Sequence, residues 1–582
     1  MKLQEIYEKY IGEFGRYQIF ILCLLLTVRT PSVVHNMGFV FFARTPEHHC
    51  SYSRNPNINY THEEWKLLSV PSDIKDGKRI WSSCMLYNHS EYVGNWTYSQ
   101  TNQILVAIKE ATSQSHAIGL QKCQHWQYDT TTDVKNSLVT EWDLVCDKKW
   151  MKSLIGSIYA AGWIIGSPIT GYICDRFGRR KTLLVAGSMT IILGILNAFC
   201  SHYVAFVLCR FFLSLFLNGA LAVAFTAAVE VVGASWRSFV SNLYMTIWAV
   251  GYMLLAGVAY LVRDRFTFMI STAAPTVIIV ISLWFIPETV PWLIAKGRRE
   301  EANSLVRKMA RFNKKHLPDD LEVTVEKEVE KTTTSVLHLV ATPNMRKKTF
   351  ILCFAWFSMA LLYYAISWNS IELHGDLYLN VFLGGFIEIP AYFLNIFALQ
   401  YLGRRLSISG TTYLAGIALL VTLAISKDQA AVLASLTLAS KFFITMAFCT
   451  IYQYTCELFP TVIRTLGLVM CNTCARFGTL MAPYMPLMVN EHMRFQQLPQ
   501  LIIGILILLA ATGLMFLPET LGCPLPMTVE QAEAFGKKIN FRDIFRVPKR
   551  RPRKGAESGS EQDPAEEPLE ADSPNKAHEL KI

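Results

Sequence analysis

"GYICDRFGRRK", residues 171 to 181, closes one long apolar run, and "QYLGRR", residues 400 to 405, closes another. A Gly-Arg-Arg turn at two such places suggests a chain built twice, and two further pairs keep the same order. "EVVGASWR" (230–237) is matched by "ELFPTVIR" (457–464), with seven residues from acid to arginine in each, and "PETV" (287–290) is matched by "PETL" (518–521). From Gly178 to Glu230 is 52 residues, and from Gly403 to Glu457 is 54. These fragments mark equivalent points in two similar halves.

Between the fragments lie apolar runs of about 18 residues or more, the length a helix needs to cross a bilayer. Twelve are expected, beginning near residues 19, 151, 182, 203, 239, 266, 349, 377, 407, 431, 465 and 498. A chain of 582 residues that is 52% hydrophobic and 17% charged, with mean hydropathy +0.27, is too apolar for a soluble multidomain protein. The first run is long and has no small-residue cleavage site, so it does not read as a signal peptide. The expected fold is an all-α membrane protein with twelve transmembrane helices in two six-helix lobes.

The expected organisation runs as follows: an N-terminus (1–18), the first span (19–43), an outside loop (44–150), spans two to six (151–286), a cytoplasmic linker (287–348), spans seven to twelve (349–517) and a largely disordered tail (518–582). The net charge of +10 is placed by topology rather than by a nucleic-acid surface. Basic clusters follow spans two, six and eight and recur in the tail, so the positive-inside rule makes these segments and both termini cytoplasmic. The large loop on the other side carries Cys50, Cys84, Cys123 and Cys146, which allow three pairings. It also carries glycosylation sequons at Asn59, Asn88 and Asn95. His48, His49 and His62 fit no zinc spacing, so no metal is expected.

Parallel halves with a site at their interface are transporter architecture. There is no G-x-x-x-x-G-K-[ST] phosphate loop and no nucleophile–base set, so neither an ATP-driven pump nor an enzyme is expected. The expected partners are a small organic ion and membrane lipids, not nucleic acid, with cytoplasmic partners conceivable at the tail. No cofactor is expected; coupling to sodium, protons or a counter-substrate stays open, as does the oligomeric state.

"GYICDRFGRRK" resembles the signature loop of the major facilitator superfamily. In that resemblance Gly171 and Gly178 allow close helix approach. Asp175, Arg176, Arg179 and Arg180, with Glu230, Arg237, Glu457 and Arg464, would form a gating network that holds the cytoplasmic face closed and breaks on release. Further stretches, "FGRYQ" (14–18), "TPEHHC" (45–50), "TEWDLVCDKKW" (140–150), "GDLYLN" (375–380), "EIPAY" (388–392) and "YTCELFPTVIRTLG" (454–467), resemble solute carrier family 22. Likeness is greatest to its carnitine and zwitterion branch, which implies a polyspecific organic-ion transporter of the plasma membrane. Three departures stand out. Pro291 replaces the arginine of the family's Pro-Glu-Ser-Pro-Arg motif, which implies a weaker network. Ala220 and Leu221 replace polar or aromatic groups, and Ser32 stands where the sodium-coupled branch often has Asn.

Ionisable residues inside spans are costly and mark sites. Here they are Arg29 and His35, with Asn36 beside them, then Arg210, Glu388, Lys441 and Arg476. Arg210 and Lys441 occupy similar places in the two halves and read as mainly structural or gating. Arg476 lies twelve residues after Arg464, whereas the same step from Arg237 lands on Ala249, so the repeat does not require this charge. Arg476 either pairs with Glu388 or anchors a substrate carboxylate, which its planar fork suits. Family resemblance implies arginine here for anion and carnitine members and an acid for cation members.

Trp356, Tyr363, Tyr364 and Tyr452, with Gln453, are the aromatic candidates. Trp356 and Tyr363 are two helical turns apart and could cage a quaternary ammonium. The expected substrates are carnitine-like zwitterions or other carboxylate-bearing ions. The alternatives are organic anions of the dicarboxylate or urate type, then organic cations, or a channel or receptor on the same fold.

Overall fold

The computed structural model describes residues 3–51, 70–75, 78–87, 120–128, 136–318, 336–368, 376–426, 429–460, 463–488, 497–521, 523, 526 and 528–536. Asn59, Asn88 and Asn95, and the tail from residue 537, lie outside them.

Among the described residues, twelve long helices form the two lobes. The first lobe holds α1 (Arg16–Phe42), α2 (Lys149–Phe177), α3 (Arg179–Phe199), α4 (Tyr203–Val231), α5 (Arg237–Leu261) and α6 (Arg265–Leu283). The second holds α7 (Pro343–Trp368), α8 (Leu377–Tyr401), α9 (Arg404–Val421), α10 (Ala430–Leu458), α11 (Arg464–Met481) and α12 (Leu498–Met515). Among the described residues, eleven of these are long and apolar enough to cross a membrane; α11 is the exception. Its polar and charged side chains, among them Asn472 and Arg476, lower its hydropathy, and packing within the bundle accommodates them. Lys441 does not open α10 but lies near its middle, because the helix already starts at Ala430.

Local sequence explains the closest helix contacts. Gly162 and Gly166 of α2 face the backbone of α4, where a methyl group would collide with Phe211 O and Leu215 O, each 2.5 Å away. Two small residues four apart let helices approach within a bilayer, where water supplies no driving force between them. Gly171 behaves differently: no neighbour lies within 4 Å of the place a Cβ would take. The close approach expected there is not made in this conformation.

Short helices at Val290–Ala295 and Arg299–Phe312 follow α6. The second turns an apolar face, including Val306 and Met309, onto the first lobe. Asn313 just beyond it ties the N-terminal segment down, accepting from Tyr17 N at 2.8 Å and donating to Ile11 O at 3.1 Å. At the opposite end, between α1 and α2, six short strands among the described residues pair antiparallel: β1 (His48–Cys50) with β6 (Trp126–Tyr128), β2 (Ser72–Lys75) with β3 (Lys78–Trp81), and β4 (Met85–Tyr87) with β5 (Leu120–Lys122). Disulfides Cys50–Cys123 and Cys84–Cys146 select one of the three pairings that the sequence allows.

Candidate functional site

The Gly-Arg-Arg turns are built alike in both lobes. Gly178 and Gly403 have φ of +101° and +84°, conformations that favour glycine. In the first lobe Arg179 meets Glu230 at 3.0 Å, and Thr289 donates to Glu230 at 2.5 Å. Glu288 accepts from the backbone N–H groups of Arg179 and Arg180, at 2.8 and 3.2 Å. In the second, Arg404 meets Glu457 at 3.2 Å, Thr520 donates to Glu457 at 2.5 Å, and Glu519 accepts from Arg404 N and Arg405 N at 2.8 and 3.0 Å.

The two acids therefore bind the arginine of the turn, while Arg237 stands exposed. Asp175 adds a longer contact to Arg179 at 3.4 Å, Arg176 touches the Tyr172 hydroxyl at 3.4 Å, and Arg180 bonds Trp284 O at 3.2 Å. Beside Pro291, Trp292 donates to Asp175 O at 3.1 Å.

The ion pairs of the two Gly-Arg-Arg turns each lie within one lobe. The lobes join near the cysteine-bearing end instead. There Ser153 and Ser157 of α2 donate to Pro483 O and Leu480 O, both at 2.7 Å, and Phe41 stacks on Tyr378 at 5.7 Å. In this conformation Arg179 with Glu230, and Arg404 with Glu457, each brace the helix ends of their own lobe.

Midway along the bundle, Glu388 of α8 is fully buried and takes three partners. Lys441 of α10 pairs with it at 3.3 Å, and the hydroxyls of Tyr363 and Tyr392 donate to it at 2.8 and 3.3 Å. The network crosses to the first lobe, since Trp248 of α5 donates to the Tyr363 hydroxyl at 2.9 Å and the Lys441 ammonium lies 4.3 Å from the Tyr252 ring. Lys441 thus takes the place beside Glu388 that the sequence allows Arg476.

Arg476 of α11 is half-buried, its guanidinium 4.3 Å from the ring centre of Trp163 on α2. It donates to Asn472 Oδ1 at 3.2 Å, and among the described residues no carboxylate pairs with it. Arg29 of α1, also half-buried, lies 4.8 Å from the Trp248 ring and 5.1 Å from that of Tyr244. Tyr452 packs edge-on against Trp356 at 4.5 Å.

The other expected site residues divide. Asn36 donates to the Tyr364 hydroxyl at 3.5 Å, joining the lobes beside this cluster. Trp356 is fully buried and its N–H bonds Thr455 at 3.0 Å; it shares Phe448 with Tyr363, as their spacing requires. His35 packs inside the first lobe, 3.2 Å from the place of a Cβ on Gly194. Gln453 is exposed and donates to Glu457 at 2.8 Å, which places it with the Gly-Arg-Arg turn. Trp163, Tyr244, Trp248 and Tyr392 were not singled out from sequence. One signal marks Trp163: it precedes Gly178 by 15 residues, as Glu388 precedes Gly403.

Residues 95–531 match the sugar (and other) transporter family. The chain is 32% identical to the human organic cation/carnitine transporter 2, over 90% of its own length and 92% of the relative's. It is also 31% identical to solute carrier family 22 member 4 of Mus musculus (90% and 93% covered) and to member 16 of Xenopus laevis (90% and 94%). The chain belongs to solute carrier family 22. Its fold is that of the E. coli xylose transporter XylE, whose inward-open structure matches with a TM-score of 0.53 at 19% identity, covering 66% of this chain and 89% of that one. This solute carrier is a multi-pass membrane transporter, and its named relatives are transporters, not enzymes.

Proposed function

We propose that the protein is a secondary transporter that moves small carboxylate-bearing organic ions across the plasma membrane by alternating access. In this reading both termini are cytoplasmic, the cysteine-bearing domain is extracellular, and the joined outer ends make the conformation inward-facing. The observation that carries the substrate class is Arg476. The second lobe's other central cation, Lys441, is neutralised by Glu388, while Arg476 has no such partner among the described residues. An unpaired charge at bilayer depth is costly, and a bound carboxylate compensates it.

Anions fit better than quaternary ammonium ions, because ring faces at the site already hold the protein's own cations. Trp163 holds Arg476, Tyr244 and Trp248 hold Arg29, and Tyr252 holds Lys441. The second reading is a carnitine-like zwitterion, favoured by relatives named as carnitine transporters. Radiolabelled uptake of a dicarboxylate, carnitine and tetraethylammonium, with and without sodium, tests the proposal. We expect saturable uptake with counterflow for the dicarboxylate, with carnitine second and tetraethylammonium excluded. Uptake of tetraethylammonium alone, or non-saturable flux, would overturn it.

A further inference from the structure

We propose that the start of α1 and the end of the linker helix Arg299–Phe312 together form a docking site for an anionic phospholipid. Its headgroup is held by Arg16, Lys308 and Arg311, and its acyl chains lie along Phe20 and Phe312. The proposal rests on the reading that puts this end of the bundle at the cytoplasmic leaflet, and the site lies apart from the central one.

The linker helix separates its charges along its length. Glu300 and Glu301 open it, whereas Lys308 and Arg311 stand exposed near its end, with Lys314 and Lys315 following. Its apolar face, with Val306 and Met309, packs on the first lobe and leaves the basic face outward. A helix dipole favours cations near a C-terminus. Arg16 is exposed too, yet it opens α1, where the same dipole disfavours a cation. Among the described residues, none of Arg16, Lys308 and Arg311 forms an ion pair.

Two rings fix the depth of these cations. The Phe312 ring lies 6.1 Å from that of Phe20 and 5.8 Å from that of Tyr17, at the first turns of α1. Phe20 and its neighbour Ile19 are each 45% exposed on a membrane-spanning helix, and Phe312 is 48% exposed. Rings so open at the edge of a span face lipid. Asn313 holds Phe312 there through its bonds with Tyr17 N and Ile11 O, at 2.8 and 3.1 Å.

Arg16 precedes Phe20 by four residues, and Lys308 precedes Phe312 by four, so each cation shares its ring's helix face one turn away. Cationic heads beside apolar rings at this depth match the two ends of a lipid, phosphate toward water and acyl chains toward the bilayer. A soluble anion gains nothing from the rings. A headgroup held from both helices braces the linker helix against α1, which steadies the first lobe at this end.

The test titrates the full chain, in micelles of a neutral detergent, with dioctanoyl phosphatidylserine, dioctanoyl phosphatidylcholine and soluble phosphoserine. Binding is followed by thermophoresis and stability by thermal unfolding. Binding in micelles depends neither on what is transported nor on which leaflet faces the site, so its failure leaves the transport reading standing. Saturable binding and a raised unfolding midpoint are expected with phosphatidylserine alone.

A basic residue near an anionic headgroup contributes about fivefold in affinity. The Arg16→Gln, Lys308→Gln, Arg311→Gln triple variant should therefore bind phosphatidylserine about a hundredfold more weakly, with its lipid-free midpoint unchanged. Phe312→Ser keeps the charges and should weaken binding about tenfold. The Lys296→Gln, Arg298→Gln, Arg299→Gln variant, altered at the other end of the linker helix, should bind as the wild type does.

Equal binding of phosphatidylcholine, phosphoserine binding as tight as the lipid's, or equal losses in the two triple variants would overturn the site. Should the first triple variant fold poorly, Lys308→Glu decides, because that position is exposed: unchanged phosphatidylserine binding would overturn the proposal.

Discussion

At the Gly-Arg-Arg turns the two lobes are bonded alike: Arg179 to Glu230 at 3.0 Å and Arg404 to Glu457 at 3.2 Å, each acid also taking a threonine hydroxyl. Halfway along the same helices the correspondence fails. Trp163 stands where the repeat puts Glu388, and Arg476 stands where it puts Ala249. The difference separates scaffold from proposed site: the helix ends keep the shared framework, whereas the residues that break the repeat, Trp163 and Arg476, lie at the centre.

Breaking the asymmetric centre should have the largest effect on stability. Lys441→Met strands the Glu388 carboxylate inside the bundle, and an unpaired buried charge costs about 3–5 kcal/mol. Thermal unfolding in detergent should show a large drop, most of it recovered in the Lys441→Met, Glu388→Gln double variant. Equal drops in the single and double variants would mean that the pair is not what stabilises the centre. The symmetric ends give a smaller and matched effect. Glu230→Gln and Glu457→Gln each weaken one charge-assisted bond set and should cost about 1–3 kcal/mol apiece. Clearly unequal losses would show that the likeness of the two turns is geometric but not energetic.

Much of this was legible in the sequence, for identifiable reasons. The spans are long apolar runs, and the repeat is written in residues whose chemistry demands them: a glycine for positive φ, an acid and an arginine for the brace. α11 was legible as a span even though Arg476 lowers its hydropathy, because the repeat predicts a helix there. The partners were less legible. Both Lys441 and Arg476 could meet Glu388, and only packing decides which one does. Gln453 follows Tyr452 directly, yet one helical step turns it away from the centre and toward Glu457. Trp163 is one of 13 tryptophans, most of which read as interfacial or core, so its role was hidden. Its signal was the mismatch with Glu388 in the repeat, the same kind of mismatch that exposed Arg476.

The most direct test of the central claim is uptake of a labelled dicarboxylate by Arg476→Ala and Arg476→Lys, each normalised to protein at the cell surface. The account expects uptake to vanish in Arg476→Ala and to return in part in Arg476→Lys, with surface expression preserved in both. Wild-type uptake and KM in Arg476→Ala would contradict it.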